Sequence, residues 1–226
     1  MRRTARSRRA RITAVTFSAL VVVGAAITHA ALAAPATATR PPAAVQSSAS
    51  APRGATGAVA RLRQVDSPGH VADDIQLRAD QCHVRVLNRA AGDVLPDRAC
   101  TPGAVDPTVT QATIQRTICT RGYTATVRPP ESDTGRYKHE SLAEYGMTYR
   151  PTIEYDHLVP LELGGANSVS NLWPEPNTAR AAGVNNPKDT VENALRDAVC
   201  GGRISLSAAQ QAIATNWTTA VATLGQ

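Results

Sequence analysis

Residues 153–159, Ile-Glu-Tyr-Asp-His-Leu-Val, mix β-branched and aromatic side chains with charged ones as an extended segment does. Leu172-Trp173-Pro174-Glu175-Pro176 is a second such run, and Gly164-Gly165-Ala166-Asn167-Ser168 between them is turn chemistry. The pattern predicts a hairpin that carries an acid, an imidazole and an amide. Beyond it, Val191, Ala194, Leu195, Ala198 and Val199 recur at i, i+3, i+4, i+7 and i+8, the stripe of an amphipathic helix. Lys188-Asp189 opens that helix and Gly201-Gly202 ends it. Asp189 and Glu192 invite assignment as metal ligands, yet they also stand at capping-box spacing, and the cap is preferred. Ser207-Ala208-Ala209-Gln210 repeats that grammar for a last helix, whose Ile213 and Trp217 pack on the core.

Upstream, Asp106-Pro107 predicts a helix start, with Asp106 as N-cap and Val109, Thr113, Ile114 and Ile118 on one buried face. Gly122 to Pro130 reads as extended, and Arg136 to Tyr145 as a second helix stopped by Gly146, with His139 on its polar side. Cys82 to Leu87 alternates like a strand, and His83 beside Cys82 is structural in the absence of a second ligand pair. Trp173 is expected as a core anchor. The mixture is an α+β domain in which a hairpin is followed by a helix and flanked by others.

Composition divides the chain. Six arginines among residues 2–11, an apolar run from Ala14 to Ile27 and Ala31-Leu32-Ala33 have the layout of an export signal over 1–33, which places the protein outside the cytoplasm or in the cell envelope with no stable membrane partner after cleavage. An uncleaved anchor is the alternative, against which the apolar run is short and interrupted by Ser and Thr. Residues 34–75 are rich in Ala, Pro, Ser and Thr and read as a disordered spacer. A lead-in covers 76–103 and the folded domain 104–226. The net charge of +6 is carried by the six leader arginines, so 18 basic residues face 18 acidic ones in the remainder. The broad basic footprint of a dedicated DNA-binding module is therefore missing. A nuclease with a few local cations is compatible with that balance.

Cys82, Cys100, Cys119 and Cys200 all follow the leader, and an even count in an oxidising compartment argues for two disulfides. Of three connectivities, Cys82 with Cys100 and Cys119 with Cys200 is preferred: the first closes a local loop and the second pins the helix after the hairpin to the element before it.

The chemistry gathers at Asp156-His157. Strand neighbours point to opposite faces, so the pair serves one site only where the strand twists or ends, and Pro160 marks such an end. There Asp156 could hold a hard divalent cation through oxygen, with His157 beside it as general base. Asp-His, a proline-containing strand end, Gly-Gly and Asn-Leu-x-Pro together resemble the HNH nucleases, whose ββα-metal fold is a hairpin and helix cradling one metal ion; the likeness spans about residues 104–217. The resemblance implies Asp156 as metal ligand, His157 as the base that activates water, and Asn171 as the amide that braces the hairpin loop. For the remaining ligand Asn177, Asn185 and Asn186 compete, and Asn186 is favoured because it stands just before the helix. The chain departs from many HNH domains in lacking paired Cys-x-x-Cys elements. An amide as last ligand suits Mg²⁺ better than Zn²⁺, with Mn²⁺ also compatible. Arg128 is a candidate phosphate clamp, against the alternative of an internal salt bridge. The implied function is a metal-dependent endonuclease acting on nucleic acid, DNA or RNA, outside the cytoplasm. The alternative is a catalytically degenerate HNH-fold envelope or binding protein, and oligomeric state is not indicated.

Overall fold

The computed structural model describes residues 61–66, 69–177 and 186–225. The expected leader and the spacer up to residue 60 lie outside them. Among the described residues, β1 (Arg63–Gln64), β2 (Arg85–Asn88), β3 (Asp93–Leu95), β4 (Ala104–Val105), β5 (Ile153–His157) and β6 (Leu172–Pro176) form three two-stranded sheets. The helices are α1 (Tyr123–Val127), α2 (Glu131–Glu144), α3 (Pro187–Cys200), α4 (Leu206–Asn216) and α5 (Ala220–Thr223). The class is α+β, with the hairpin β5–β6 followed by α3.

Where composition predicts a spacer, residues 61–66 and 69–75 instead join the fold. β1 runs parallel to β4, Ala72 bridges to Ser168, and Asp74 accepts hydrogen bonds from Ser170 N and Oγ at 3.0 and 2.6 Å. Leu62, Val71 and Ile75 each find apolar partners, which a count of residue types does not reveal.

The largest apolar cluster joins the inner faces of α3 and α4 (Leu195, Val199, Ala209, Ile213) to Val109, Ile114, Ile118, Val159 and Leu163. A second gathers Cys82, Cys100, Val94, Tyr145, Leu158 and Trp173 behind the hairpin. Trp173 is fully buried with its ring 6.4 Å from that of Tyr145, so it is a core anchor, and the lead-in is part of the same domain. The disulfides are Cys82–Cys100 and Cys119–Cys200, as preferred from the sequence. Two such bonds fit a non-cytoplasmic, oxidising environment. No helix among the described residues is long and apolar enough to cross a membrane.

Several elements differ from the sequence reading. From Asp106 the chain forms turns and only a 3₁₀ segment, Ile114–Arg116; Val109, Ile114 and Ile118 are buried as expected, but Thr113 is only half-buried. Hydroxyls compete for the backbone there: Asp106 Oδ1 accepts from Thr108 N, and Thr113 Oγ1 accepts from Thr110 N while donating to Thr108 O. The extended run expected from Gly122 to Pro130 is a short helix, because Gly122 at φ 85° turns the chain and Tyr123 packs on the main cluster; only Arg128 onward is extended. α2 starts at Glu131 rather than Arg136, with Glu131 and Asp133 set against its N-terminal dipole. α3 starts one turn early on an Asn186–Asp189 capping box with Pro187 at its first position, and α4 is capped by Ser205 rather than Ser207.

Candidate functional site

β5 and β6 pair from Ile153↔Pro176 to His157↔Leu172, and Leu158 N donates to Asn171 O to close the loop end. The loop turns back through a 3₁₀ segment, Leu161–Leu163, and Gly164-Gly165. Gly164 has φ +71°, and a Cβ on Gly165 would collide with the Val159 carbonyl, so both positions require glycine. Asn171, fully buried, spans this turn. Its Oδ1 accepts from Val159 N (3.0 Å) and Ala104 N (3.2 Å), and its Nδ2 donates to Val159 O (2.9 Å) and Ala166 O (2.8 Å). All four hydrogen-bonding positions of the amide are filled. The Asn171 amide thus ties the two sides of the turn and Ala104 together.

His157 follows from that turn. Its Nε2 lies 2.9 Å from Asn167 Oδ1, while Asn167 Nδ2 donates to Val127 O at 2.8 Å. The second bond fixes which way the Asn167 amide faces, so Nε2 must carry the proton and Nδ1 the lone pair. Burial pushes the His157 pKa down to about 4; the Asp156 charge and the Asn167 hydrogen bond oppose this, and Arg128 and Lys188 add to it. The ring is neutral at pH 7. Nδ1 has no hydrogen-bond partner among the described residues and is not among the sealed, unpartnered atoms.

Asp156 turns the other way, toward α3, as strand alternation requires. Its Oδ2 receives a hydrogen bond from Lys188 Nζ, which also donates to the His157 carbonyl (2.7 Å) and to Glu192 Oε1 (2.5 Å) and lies 3.9 Å from Glu175 Oε2. Burial works against charge on every member of this group. The ammonium overrides it at Asp156, whose pKa stays below the ordinary carboxylate range. Burial wins at Glu192, pushed up to about 8, and at Glu175, held well above the carboxylate range with its side chain hydrogen-bonded to Asp156. Lys188 remains charged because three carboxyls surround it. Burial thus favours the protonated form of Glu175, and the ammonium the ionised form of Asp156.

Asn186 does not meet Asp156 at a common point. Its Oδ1 accepts from Asp189 N (3.1 Å) and its Nδ2 donates to Glu154 Oε2 (3.1 Å), so the amide is spent on the helix cap and on β5. Asn177 also donates to Glu154 Oε2, at 3.2 Å, and Asn185 lies outside the described residues. Arg128 is exposed and no described carboxylate pairs with it, which removes its salt-bridge alternative among those residues. Its charge is felt at His157. His83 and His139 are exposed, and Cys82 is spent in a disulfide.

Compared with family models, with curated proteins and with solved structures, the chain matches none.

The donor groups that the resemblance assigns to a divalent ion are already engaged. Asp156 is neutralised by an ammonium on one side and hydrogen-bonded to Glu175, and the Asn186 amide is engaged elsewhere. Arranged in this way, Asp156 and Asn186 do not fit Mg²⁺, Mn²⁺ or Zn²⁺ as a ligand pair.

Sequence reasoning missed Lys188, Glu175 and Asn167. Lys188 carried one signal: a cation in the first turn of a helix opposes the dipole, so its presence there calls for carboxylates from elsewhere. Glu175 and Asn167 carried none beyond lying within the motif.

Proposed function

We propose that the hairpin and α3 form the centre of a nuclease that hydrolyses nucleic-acid phosphodiester bonds outside the cytoplasm. The observation that carries this reading is the tautomer of His157: a neutral imidazole held through Nε2–H, with the Nδ1 lone pair left to accept a proton. In the reaction, Nδ1 takes a proton from the attacking water, whose oxygen bonds to phosphorus as the bond to the leaving sugar oxygen breaks. The leaving oxygen takes its proton from solvent. Arg128 supplies charge to the non-bridging phosphate oxygens in a two-pronged geometry. Asn171 and Asn167 position the imidazole. A base whose pKa lies near 4 accepts protons weakly on its own, but the negative phosphate of a bound substrate raises it, so the group becomes effective when substrate is present.

A second reading, a non-catalytic scaffold that keeps the hairpin for an envelope or binding role, is favoured by two observations. Asp156 is held by Lys188, and only 6% of His157 is exposed.

Purified protein is incubated with plasmid DNA and with RNA, with added Mg²⁺ or Mn²⁺ and with EDTA. The hydrolytic reading expects cleavage that falls by about 10² to 10⁴ in His157→Ala with the circular dichroism spectrum unchanged. Arg128→Ala raises KM for the polymer more than it lowers kcat. No cleavage under any of these conditions establishes the scaffold reading, and equal cleavage by wild type and His157→Ala removes the hairpin as the active site.

A further inference from the structure

The centre of the carboxyl cluster is taken by a cation that belongs to the chain. An ammonium has three N–H bonds to give, and Lys188 gives them to Asp156 Oδ2, Glu192 Oε1 and the His157 carbonyl, with Glu175 Oε2 at 3.9 Å. Two strands and one helix thus point four oxygens at one positive centre, the kind of donor set a hard divalent ion takes. The Lys188 side chain is fully buried. A Lys–Glu pair at i,i+4 is ordinarily a solvated pair on a helix surface; here both members turn inward, and the other two carboxyls come from β5 and β6. Burial of an ammonium in the first turn of α3 persists only because those oxygens surround it.

We propose that Lys188 is the resident cation of this site, its ammonium occupying the place a divalent metal would take and excluding one. It ties β5 to α3 through the Asp156 carboxylate and the His157 carbonyl, a structural task a metal ion performs elsewhere. The carboxyls of Asp156, Glu175 and Glu192 become a divalent-ion site when Lys188 is removed. The inference stands whether or not the protein hydrolyses phosphodiesters.

The test is Mn²⁺ binding to the full chain, read by electron paramagnetic resonance and calorimetry at pH 7, for wild type, Asp156→Asn, Lys188→Ala and the double variant. Wild type is expected to bind no Mn²⁺ at this site up to about 1 mM and to unfold at the same temperature with Mn²⁺ or EDTA. Lys188→Ala is expected to bind one Mn²⁺ per chain, and the added Asp156→Asn to weaken that binding at least about tenfold. If Lys188→Ala is unfolded alone, stoichiometric Mn²⁺ restores its helical circular dichroism, because an ion that binds only the folded state stabilises it. Wild type binding one Mn²⁺ that Asp156→Asn abolishes overturns the proposal. So does Lys188→Ala that neither binds Mn²⁺ nor is refolded by it. Loss of cleavage in any variant bears on the hydrolytic reading alone.

Discussion

Two buried polar centres stand on either side of the strand end at His157, and they are built on opposite principles. At Asn171 one neutral amide meets four backbone groups, each at ordinary hydrogen-bond length, and nothing titrates. At Lys188 one charge meets three carboxyls, of which Asp156 is pushed toward ionisation and Glu175 and Glu192 toward protonation, and Glu175 Oε2 is left without a hydrogen-bond partner. The first centre defines a shape; the second joins two elements and depends on how many protons it holds. His157 belongs to both, giving its carbonyl to Lys188 and its ring to Asn167 beside the braced loop.

The contrast is broken most directly at the neutral centre. Asn171→Ala leaves the Val159 N–H and C=O, the Ala104 N–H and the Ala166 C=O without this partner, at about 1–3 kcal/mol each before relaxation. A loss on the order of 4 kcal/mol is expected, nearly the same from pH 5 to pH 8, in urea denaturation. A loss below about 1 kcal/mol would show that water replaces the amide and that the loop does not depend on it.

The next effect is read at His157. Its folded pKa of about 4 lies below the ordinary 6.5, so the unfolded chain binds a proton first as pH falls. The stability contributed by the neutral ring is present above pH 6.5 and is lost as pH drops through 6.5 toward 4. Relative to His157→Gln, wild type should lose on the order of 3 kcal/mol across that window. Parallel pH profiles for the two proteins would show that the ring is not held neutral.

The smallest change sharpens the charged centre. Burial favours the protonated form of Glu175 in the fold, so Glu175→Gln, which has nearly the same shape, should alter stability by less than about 1 kcal/mol at pH 5. As pH rises above the ordinary carboxylate value of 4.5, the unfolded wild type gives up a proton that the folded form keeps, and wild type loses stability relative to the variant. A variant that instead weakens relative to wild type toward pH 8 would mean that Glu175 is ionised and pairs with Lys188.

The contrast also separates what the sequence made legible from what it did not. The hairpin and both disulfides could be read because turn glycines, strand composition and cysteine count are local signals, whereas the bracing position of Asn171 came only from the resemblance of the motif. The helix cap was off by a turn, since Asn186-Pro187-x-Asp189 is as good a capping grammar as the pattern read three residues later. Lys188 was opaque because Lys188 and Glu192 at i,i+4 look like an exposed pair, and only the approach of β5 and β6 turns them inward. Charge clusters assembled from distant segments leave no period in the chain. Thr113 shows the other failure: apolar spacing correctly marked the buried side of residues 109–118, while side-chain hydroxyls took the backbone out of the helix.

The parallel pairing of β1 with β4 and the hold of Asp74 on Ser170 have a mechanical consequence. Tension on the chain from the side of residue 61 enters the fold along β1, passes Gly69 N on the Val127 carbonyl and Val71 N on Asp133, and then reaches Ala72 at Ser168 and Asp74 at Ser170, the last two in the loop that Asn171 braces. A pull on the N-terminal side would therefore reach the hairpin loop through Ala72 and Asp74, after the packing of Leu62 on the main cluster had been loaded. The segment that composition marks as a passive tether is the handle through which force would reach the candidate site.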